Sequence, residues 1–188
     1  GLPDGALSPA LAQTATAPAD VLRPEVAKPL QAADELIKAG KYDEALPLAQ
    51  RAVELAEKAD GATHPAIAPS LNNLALVYEA TGAYAKAETV FLRAYAIYRD
   101  TPGPTDPQVA TTLNNLGSLY RTMGAYAKAE PFFTQALAIK EKSLGPDHPD
   151  VATSLNNLAE LYRTIGQYSK AEPSEASSRS AISRAPSG

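Results

Sequence analysis

The sequence predicts an all-α fold in which pairs of helices repeat along the chain. Three observations support this prediction: a repeat of 42 residues, helical spacing of apolar residues within each repeat, and an alanine-rich composition. The motif Leu-Asn-Asn-Leu occurs at 71–74, 113–116 and 155–158, each time 42 residues further on. Two other markers keep this period: Gly40, Gly82, Gly124 and Gly166, and the pairs Gly61–Pro65, Gly103–Pro107 and Gly145–Pro149. Three markers with one period indicate a true repeat.

Each repeat contains the pattern of two helices. The first has apolar or small residues at steps of three and four, namely Val109, Leu113, Leu116, Gly117 and Tyr120. Gly124 follows at a turn, where we expect a left-handed backbone conformation. The second helix carries Ala129, Phe133, Ala136, Leu137 and Lys140 at helical spacing. Residues 145–150 then end this helix and begin the first helix of the next repeat. Because alanine has little side-chain volume, we expect closely packed helices around a thin core.

Composition excludes several classes of protein. The 188 residues carry a formal charge of −4, whereas a nucleic-acid partner requires a basic face to neutralise phosphates. There is no cysteine, so disulfide frameworks, thiol nucleophiles and the common zinc sites are absent. No run approaches the roughly 20 apolar residues that span a membrane. We therefore expect neither nucleic-acid binding nor membrane insertion.

The repeat motifs resemble the tetratricopeptide repeat family, in its 42-residue variant typified by kinesin light chains and many bacterial scaffold proteins. They read Leu-Asn-Asn-Leu-x-x-Leu-Tyr, Gly-x-Tyr-x-x-Ala and Gly-Pro-x-His-Pro-x-Val-Ala, and the resemblance covers residues 29–173. It implies an α-solenoid, in which antiparallel helix hairpins stack into a right-handed superhelix. In this family the first helix of each hairpin lines a concave groove that binds extended peptides.

The repeat divides the chain into three parts: a flexible leader at 1–27, an array of about three and a half repeats at 28–173, and a Ser-rich disordered tail at 174–188. Ala10-Leu11-Ala12 before Gln13 fits the end of a secretory signal peptide, which would mean an exported or periplasmic protein. A plain disordered leader on a cytoplasmic protein is the alternative. The tail is either genuine or the product of a frame shift near residue 174, since the period predicts an apolar helix there.

The sequence predicts no catalytic site, no metal site and no cofactor. His64 and His148 share one register position before a proline, but Asp106 replaces histidine in the repeat between them. We interpret these histidines as loop-capping or packing residues. No phosphate-binding glycine loop, serine nucleophile motif or zinc motif is present. The repeated tyrosines at 78, 120 and 162 and at 42, 84, 126 and 168 are interpreted as core residues.

The asparagine pairs are the candidate binding residues. Asn73, Asn115 and Asn157 are interpreted as hydrogen-bonded ties between repeats, and the residues before them as ligand contacts. Helical spacing places these ligand contacts on one face with other polar residues. By the family resemblance, this face lines the concave groove. The predicted peptide-binding residues are Asn72, Asn114, Ser118, Arg121, Thr122, Asn156, Glu160 and Arg163. An amide side chain suits this role because it both donates to and accepts from a peptide backbone.

Three functions remain open at this point. The first is a protein–protein interaction scaffold that binds a peptide segment or a partner protein in the concave groove. The alternative is the regulatory N-terminal repeat fragment of a larger bacterial enzyme, such as a caspase-like peptidase. The third is self-association through the incomplete last repeat, whose exposed apolar face would pair with another copy.

Overall fold

The computed structural model describes residues 23–100 and 106–184, apart from the side chains of residues 173 and 180–184. The regular structure within these ranges is entirely helical. The helices are α1 (Pro24–Lys38), α2 (Tyr42–Asp60), α3 (Ala68–Ala80), α4 (Tyr84–Asp100), α5 (Pro107–Thr122), α6 (Tyr126–Leu144), α7 (Pro149–Thr164) and α8 (Tyr168–Arg184). A 3-10 turn at Pro65–Ile67 leads directly into α3. None of the helices in these two ranges is long and apolar enough to cross a membrane.

The helices form two compact units, α1–α4 and α5–α8. Within each unit, consecutive helices pack as hairpins: α1 with α2 and α3 with α4 in one unit, and α5 with α6 and α7 with α8 in the other. Each hairpin has only three residues between its helices, so its two helices run antiparallel. The second helix of one hairpin packs on the first helix of the next, α2 on α3 and α6 on α7. This confirms the predicted all-α repeat of helix hairpins.

Glycine makes the turn inside each hairpin. Gly124 has φ of 72°, and Gly40, Gly82 and Gly166 have φ of 72°, 77° and 75°. The left-handed conformation expected at Gly124 is therefore confirmed, and it recurs once per period. Glycine adopts this conformation without the steric cost that a Cβ atom brings.

Small buried residues recur at two positions of the second helix in three of the four hairpins. Ala45, Ala87 and Ala129 share one register position, Ala52, Ala94 and Ala136 share another, and all six are completely buried. Gly117 lies against the ring of Phe133, and a Cβ atom at this glycine would come within 2.8 Å of that ring. The helices of the α5–α6 hairpin therefore pack closely at Gly117.

Helix N-termini carry the side-chain caps that the loop motif predicted. His148 Nδ1 accepts a hydrogen bond from the Asp150 amide at 3.1 Å, and His64 Nδ1 accepts one from the Ala66 amide at 3.2 Å. Asp106, in the same register position, accepts from the Gln108 amide at 2.7 Å. The interpretation of the two histidines as capping residues is thus confirmed, and an aspartate replaces them because both side chains present an acceptor to the first turn.

The structure corrects two of the predicted boundaries. Residues 24–27, assigned to the leader, form the first turn of α1, where Val26 is buried. Residues 174–184, assigned to a disordered tail, continue α8, and only 185–188 of that tail lie outside the described residues. Ser178 replaces the buried Ala136 of the preceding hairpin, and its small side chain fits the same contact. Its hydroxyl donates to the Ala152 carbonyl at 3.1 Å. The predicted signal-peptide residues, Ala10 to Gln13, also lie outside the described residues.

Tyrosine, lysine and glutamate join three consecutive helices in the α5–α8 unit. The Tyr162 hydroxyl of α7 donates to Glu130 Oε1 of α6 at 2.9 Å, and Lys170 Nζ of α8 lies 5.1 Å from the centre of the Tyr162 ring. Burial and the Glu130 carboxylate together raise the pKa of Tyr162 to about 12. In the other unit, the Tyr78 hydroxyl accepts a hydrogen bond from Gln50, and Lys86 lies over the Tyr78 ring. Of the seven tyrosines predicted as core residues, Tyr120 is buried and five are partly buried, but Tyr168 is 64% exposed, so the prediction is wrong for Tyr168.

The asparagine that joins the two hairpins of the α5–α8 unit is Asn114, the first of its pair, and not Asn115 as the sequence predicted. Asn114 Nδ2 of α5 donates to Ser154 Oγ of α7 at 2.9 Å. Asn115, which the sequence predicted as the tie, is buried, and neither polar atom of its amide has a hydrogen-bond partner within the described residues. The two positions are 100° apart around the helix, so only one of them can face α7.

Lys140 is a buried cation in α6, at a position where α4 carries Tyr98 and α2 carries Ala56. It is 1% exposed, and its Nζ lies 3.5 Å from the Asp150 carbonyl oxygen. Desolvation lowers the pKa of Lys140 to about 8, although the Asp150 carboxylate opposes this shift. The protonated lysine therefore destabilises the folded state relative to an apolar residue.

The turn geometry is tested by Gly124→Val. Valine at a φ of 72° should lower the free energy of unfolding by about 1–2 kcal/mol, because its Cβ meets the backbone in this conformation. Ala127→Val, on the exposed surface of the first turn of α6, is the matched control and should cost about half a kcal/mol from helix propensity. Urea denaturation measures both variants, and equal losses would contradict the assigned turn.

The tie between hairpins is tested by comparing Asn114→Ala with Asn156→Ala. Asn114→Ala removes the buried bond to Ser154 and should destabilise the protein by about 0.5–1.5 kcal/mol. Asn156 occupies the same register position on α7 but is exposed, so its replacement should change stability by less than about 0.5 kcal/mol. If chemical denaturation shows the same loss for both variants, the Asn114 bond does not tie the hairpins.

The buried lysine is tested by Lys140→Met. Near pH 7 the variant should be more stable than the native chain by about 1–3 kcal/mol, because methionine removes a desolvated charge. The pKa of this lysine is about 8 in the folded chain and 10.5 in the unfolded chain. Between these two pH values the unfolded chain binds more protons than the folded chain, so the native protein gains stability as the pH rises from about 8 to 10.5. The advantage of methionine should therefore shrink over that range. Denaturation midpoints at several pH values measure it, and a constant difference would contradict the lowered pKa.

Candidate functional site

The eight residues that the sequence assigned to peptide binding divide into a buried and an exposed group. Asn72, Asn114 and Ser118 are completely buried. The structure corrects the expectation that these three side chains are open to a ligand, and at Asn114 the reason is the bond to Ser154. The other five lie at the surface or beside it, on α5 and α7, and they are Arg121, Thr122, Asn156, Glu160 and Arg163.

An ion pair connects the two helices that carry the exposed group. Arg121 Nη1, near the end of α5, contacts Glu160 Oε1 of α7. The Arg121 side chain is 11% exposed, whereas that of Glu160 is 49% exposed. The carboxylate is thus held by the arginine on one side and faces solvent on the other. Thr122, next along α5, is exposed.

Three side chains of α7 form a polar strip. Asn156, Glu160 and Arg163 are spaced by four and three residues, so they lie on one face of the helix. All three are exposed, and the Arg163 side chain keeps 66% of its surface accessible. Together the α7 polar strip offers an amide that donates and accepts, a carboxylate that accepts and a guanidinium that donates.

A cavity of about 270 Å³ lies between the α7 polar strip and α8. Its lining residues are Asn156, Ala159, Glu160, Arg163, Glu175 and Arg179. Arg163 Nη1 is 3.7 Å from Glu175 Oε1 across it. One period earlier, Phe133 stands at the position of Glu175 and is fully buried against Gly117. The cavity, which we call the end cavity, exists because a glutamate replaces the aromatic ring that fills this space in the preceding hairpin.

Glu175 and Arg179 were not among the predicted site residues. Both lie in the segment that the sequence assigned to a disordered tail, because its residues depart from the apolar helix that the period predicts there. The sequence did contain a signal for these two residues, because they occupy the positions of Phe133 and Leu137 one period earlier. A charged residue at a position that is apolar in the preceding repeat indicates that the surface of the last hairpin differs there. Two arginines and two glutamates line the end cavity, so it has mixed charge and favours no single sign of ligand.

The α7 polar strip and the end cavity present amide, carboxylate and guanidinium groups. Among residues 23–100 and 106–184, no group of three or more His, Cys, Asp or Glu side chains is arranged to hold a metal ion. The two histidines are engaged through Nδ1 in helix capping. No nucleophile and base were found paired in the end cavity, whose polar residues are amide, carboxylate and guanidinium groups.

Comparison with known proteins agrees with the fold. BtubC (BKLC) from P. vanneervenii has 23% sequence identity and a TM-score of 0.76, covering 88% of this chain and 68% of that one. A protein of Podosopora anserina described as a kinesin light chain with nearly identical TPR-like repeats has 25% identity and a TM-score of 0.68, covering 90% and 82%. A Rap protein complexed with Competence and Sporulation Factor has 18% identity and a TM-score of 0.74, covering 87% and 45%.

Family assignment rests on the sequence as well. No curated protein matches the chain. The model of the tetratricopeptide repeat matches three times, at residues 25–100, 67–142 and 108–180. These matches overlap and extend from the second residue of α1 into α8. The chain belongs to the tetratricopeptide repeat family.

Proposed function

We propose that this protein is an interaction scaffold that binds an extended segment of a partner protein along α5 and α7. The observation that carries the proposal is the exposed α7 polar strip beside the Arg121–Glu160 ion pair. The backbone of an extended peptide needs a polar partner for each amide and carbonyl group once water is displaced. Asn156 serves both kinds of group, Arg163 serves carbonyl oxygens and Glu160 serves amides.

The charges of this surface favour a peptide segment over a terminal carboxylate. Arg121 is engaged by Glu160, and Arg163 lies near Glu175. A clamp for a free carboxylate would need arginine or lysine side chains without such acidic neighbours. Mixed charge suits an internal segment of a partner, in which polar and charged side chains of both signs alternate.

The other two functions that the sequence left open have less support. Self-association was expected from an apolar face on an incomplete last repeat, but that repeat is a complete hairpin whose end cavity is charged. A regulatory role beside a catalytic domain of a longer bacterial enzyme stays a prediction, which the sequence of the surrounding gene would test.

The binding surface is tested by selecting peptides from a random library and measuring them against Arg163→Glu. Reversing this charge should weaken binding by about 5- to 30-fold, because the guanidinium donor becomes a carboxylate that repels peptide carbonyl groups. Arg51→Glu on α2 is the matched control, since its side chain is 59% exposed and the charge change is identical. Peptides that bind both variants and the native chain equally would place the binding surface elsewhere.

A further inference from the structure

Three loops of this chain cap the following helix with one backbone geometry and two kinds of side chain. His64, Asp106 and His148 are extended, with φ of −71°, −65° and −74° and ψ of 140°, 135° and 140°. In each loop the side chain accepts a hydrogen bond from the amide two residues further on, and the carbonyl accepts one from the amide three residues further on. Histidine and aspartate are therefore interchangeable acceptors at this position of the repeat.

The two kinds of cap differ in their response to acid. A neutral imidazole accepts a hydrogen bond at its unprotonated nitrogen, whereas a protonated imidazole carries hydrogen on both nitrogens and accepts none. Histidine side chains take up this proton between about pH 8 and about pH 5, where aspartate remains a carboxylate. The proton also brings a positive charge to a helix N-terminus, which the helix dipole disfavours. Mild acid therefore removes a histidine cap and leaves an aspartate cap in place.

We propose that His64 and His148 make the starts of α3 and α7 sensitive to mild acid, whereas Asp106 keeps the start of α5 insensitive. Because only the neutral imidazole accepts the amide hydrogen, a histidine cap stabilises the folded chain above the range of imidazole protonation and is lost as the pH falls through that range. Helix α3 packs on α2, and α7 packs on α6. The acid-sensitive turns thus lie where one hairpin joins the next, and this property is independent of the peptide binding proposed above.

The surroundings of His148 contain charges of both signs. Asp150 Oδ2 of α7 lies 4.0 Å from His148 Nδ1, and Asp147 precedes the histidine in the loop. From α6, Lys140 Nζ lies 3.5 Å from the Asp150 carbonyl oxygen. Protonated His148 would lose its bond to the amide but would be attracted to the Asp150 carboxylate, although the lysine charge opposes this attraction. Part of the lost cap is therefore offset at this loop.

The surroundings of His64 offer less compensation. Ala66 stands two residues after His64, where the other histidine loop has its aspartate, and the first turn of α3 carries no acidic residue. Arg93 of α4 donates to a carbonyl of this loop at 2.7 Å and pairs with Glu57 of α2 at 2.7 Å. Asp60, the last residue of α2, is paired with an arginine at 3.1 Å. Because these nearby carboxylates are already engaged, the response to acid should be larger at His64 than at the other histidine.

Exchanging the caps tests the proposal. The double variant His64→Asp, His148→Asp keeps an acceptor at both positions, and Asp106→His introduces the acid-sensitive kind at α5. Urea unfolding of the full chain and of both variants, at about pH 7.5 and about pH 5, gives each folding equilibrium constant. On acidification the native chain should lose about 2- to 30-fold more of this constant per histidine cap than the double variant loses. Asp106→His should lose more than the native chain. Acid effects on the other groups cancel, because the three chains differ only at the caps.

Hydrogen exchange measured by nuclear magnetic resonance locates the effect. The amides of Ala66 and Asp150 donate to the two imidazoles, and the Gln108 amide donates to the aspartate. After correction for the intrinsic dependence of exchange on pH, the first two amides should lose protection at about pH 5 and the third should keep it. In Asp106→His the Gln108 amide should become acid-sensitive as well.

Two outcomes would overturn the proposal. One is the same dependence of the folding equilibrium on pH in the native chain and in the double variant. The other is full protection of the Ala66 and Asp150 amides at about pH 5, since these bonds require a neutral imidazole.

Discussion

The close approach of two helices in each hairpin is the constraint on which the rest of this structure depends. Alanines at two register positions are completely buried, and Gly117 leaves space for the ring of Phe133 with no room for a Cβ atom. Small side chains bring the backbones together, so the hairpin buries apolar surface with little side-chain volume. The glycine turn is a consequence, because three residues must reverse the chain between helices this close. Recurrence of these small residues every 42 positions is what makes the repeat visible in the sequence.

Polar contacts then join one hairpin to the next, and they differ in kind from the apolar contacts inside a hairpin. The Asn114–Ser154 hydrogen bond and the Arg121–Glu160 ion pair both connect α5 to α7. Tyr162, Glu130 and Lys170 connect α6, α7 and α8. Such directional contacts determine which residues of neighbouring helices lie opposite each other more than they stabilise the fold, since each requires a particular pair of positions to meet.

The first and last described hairpins carry different residues at equivalent positions of the repeat. In α1, charged residues replace buried apolar ones, as at Glu25 and Glu35. In α7, the residues that hold a following helix are kept, while α8 replaces Phe133 and Leu137 of α6 by Glu175 and Arg179. The α7 polar strip and the end cavity therefore offer an amide, guanidinium groups and carboxylates, which are the groups on which the proposed peptide binding depends.

Sequence alone determined the period, the helix pairs, the positive φ at Gly124 and the family, because each depends on local spacing or on backbone geometry near one residue. For the two histidines the sequence left capping and packing open, and the structure shows capping. Accessibility was decided only by the tertiary structure. Asn114 and Asn156 occupy the same position of the Leu-Asn-Asn-Leu motif, yet one is buried in a bond to Ser154 and the other is exposed. The continuation of α8 through Ser178 also escaped the sequence, because its composition resembles a disordered segment and its helix is stabilised by packing on α7. Burial depends on which helix lies opposite, and no repeat pattern within a single helix contains that information.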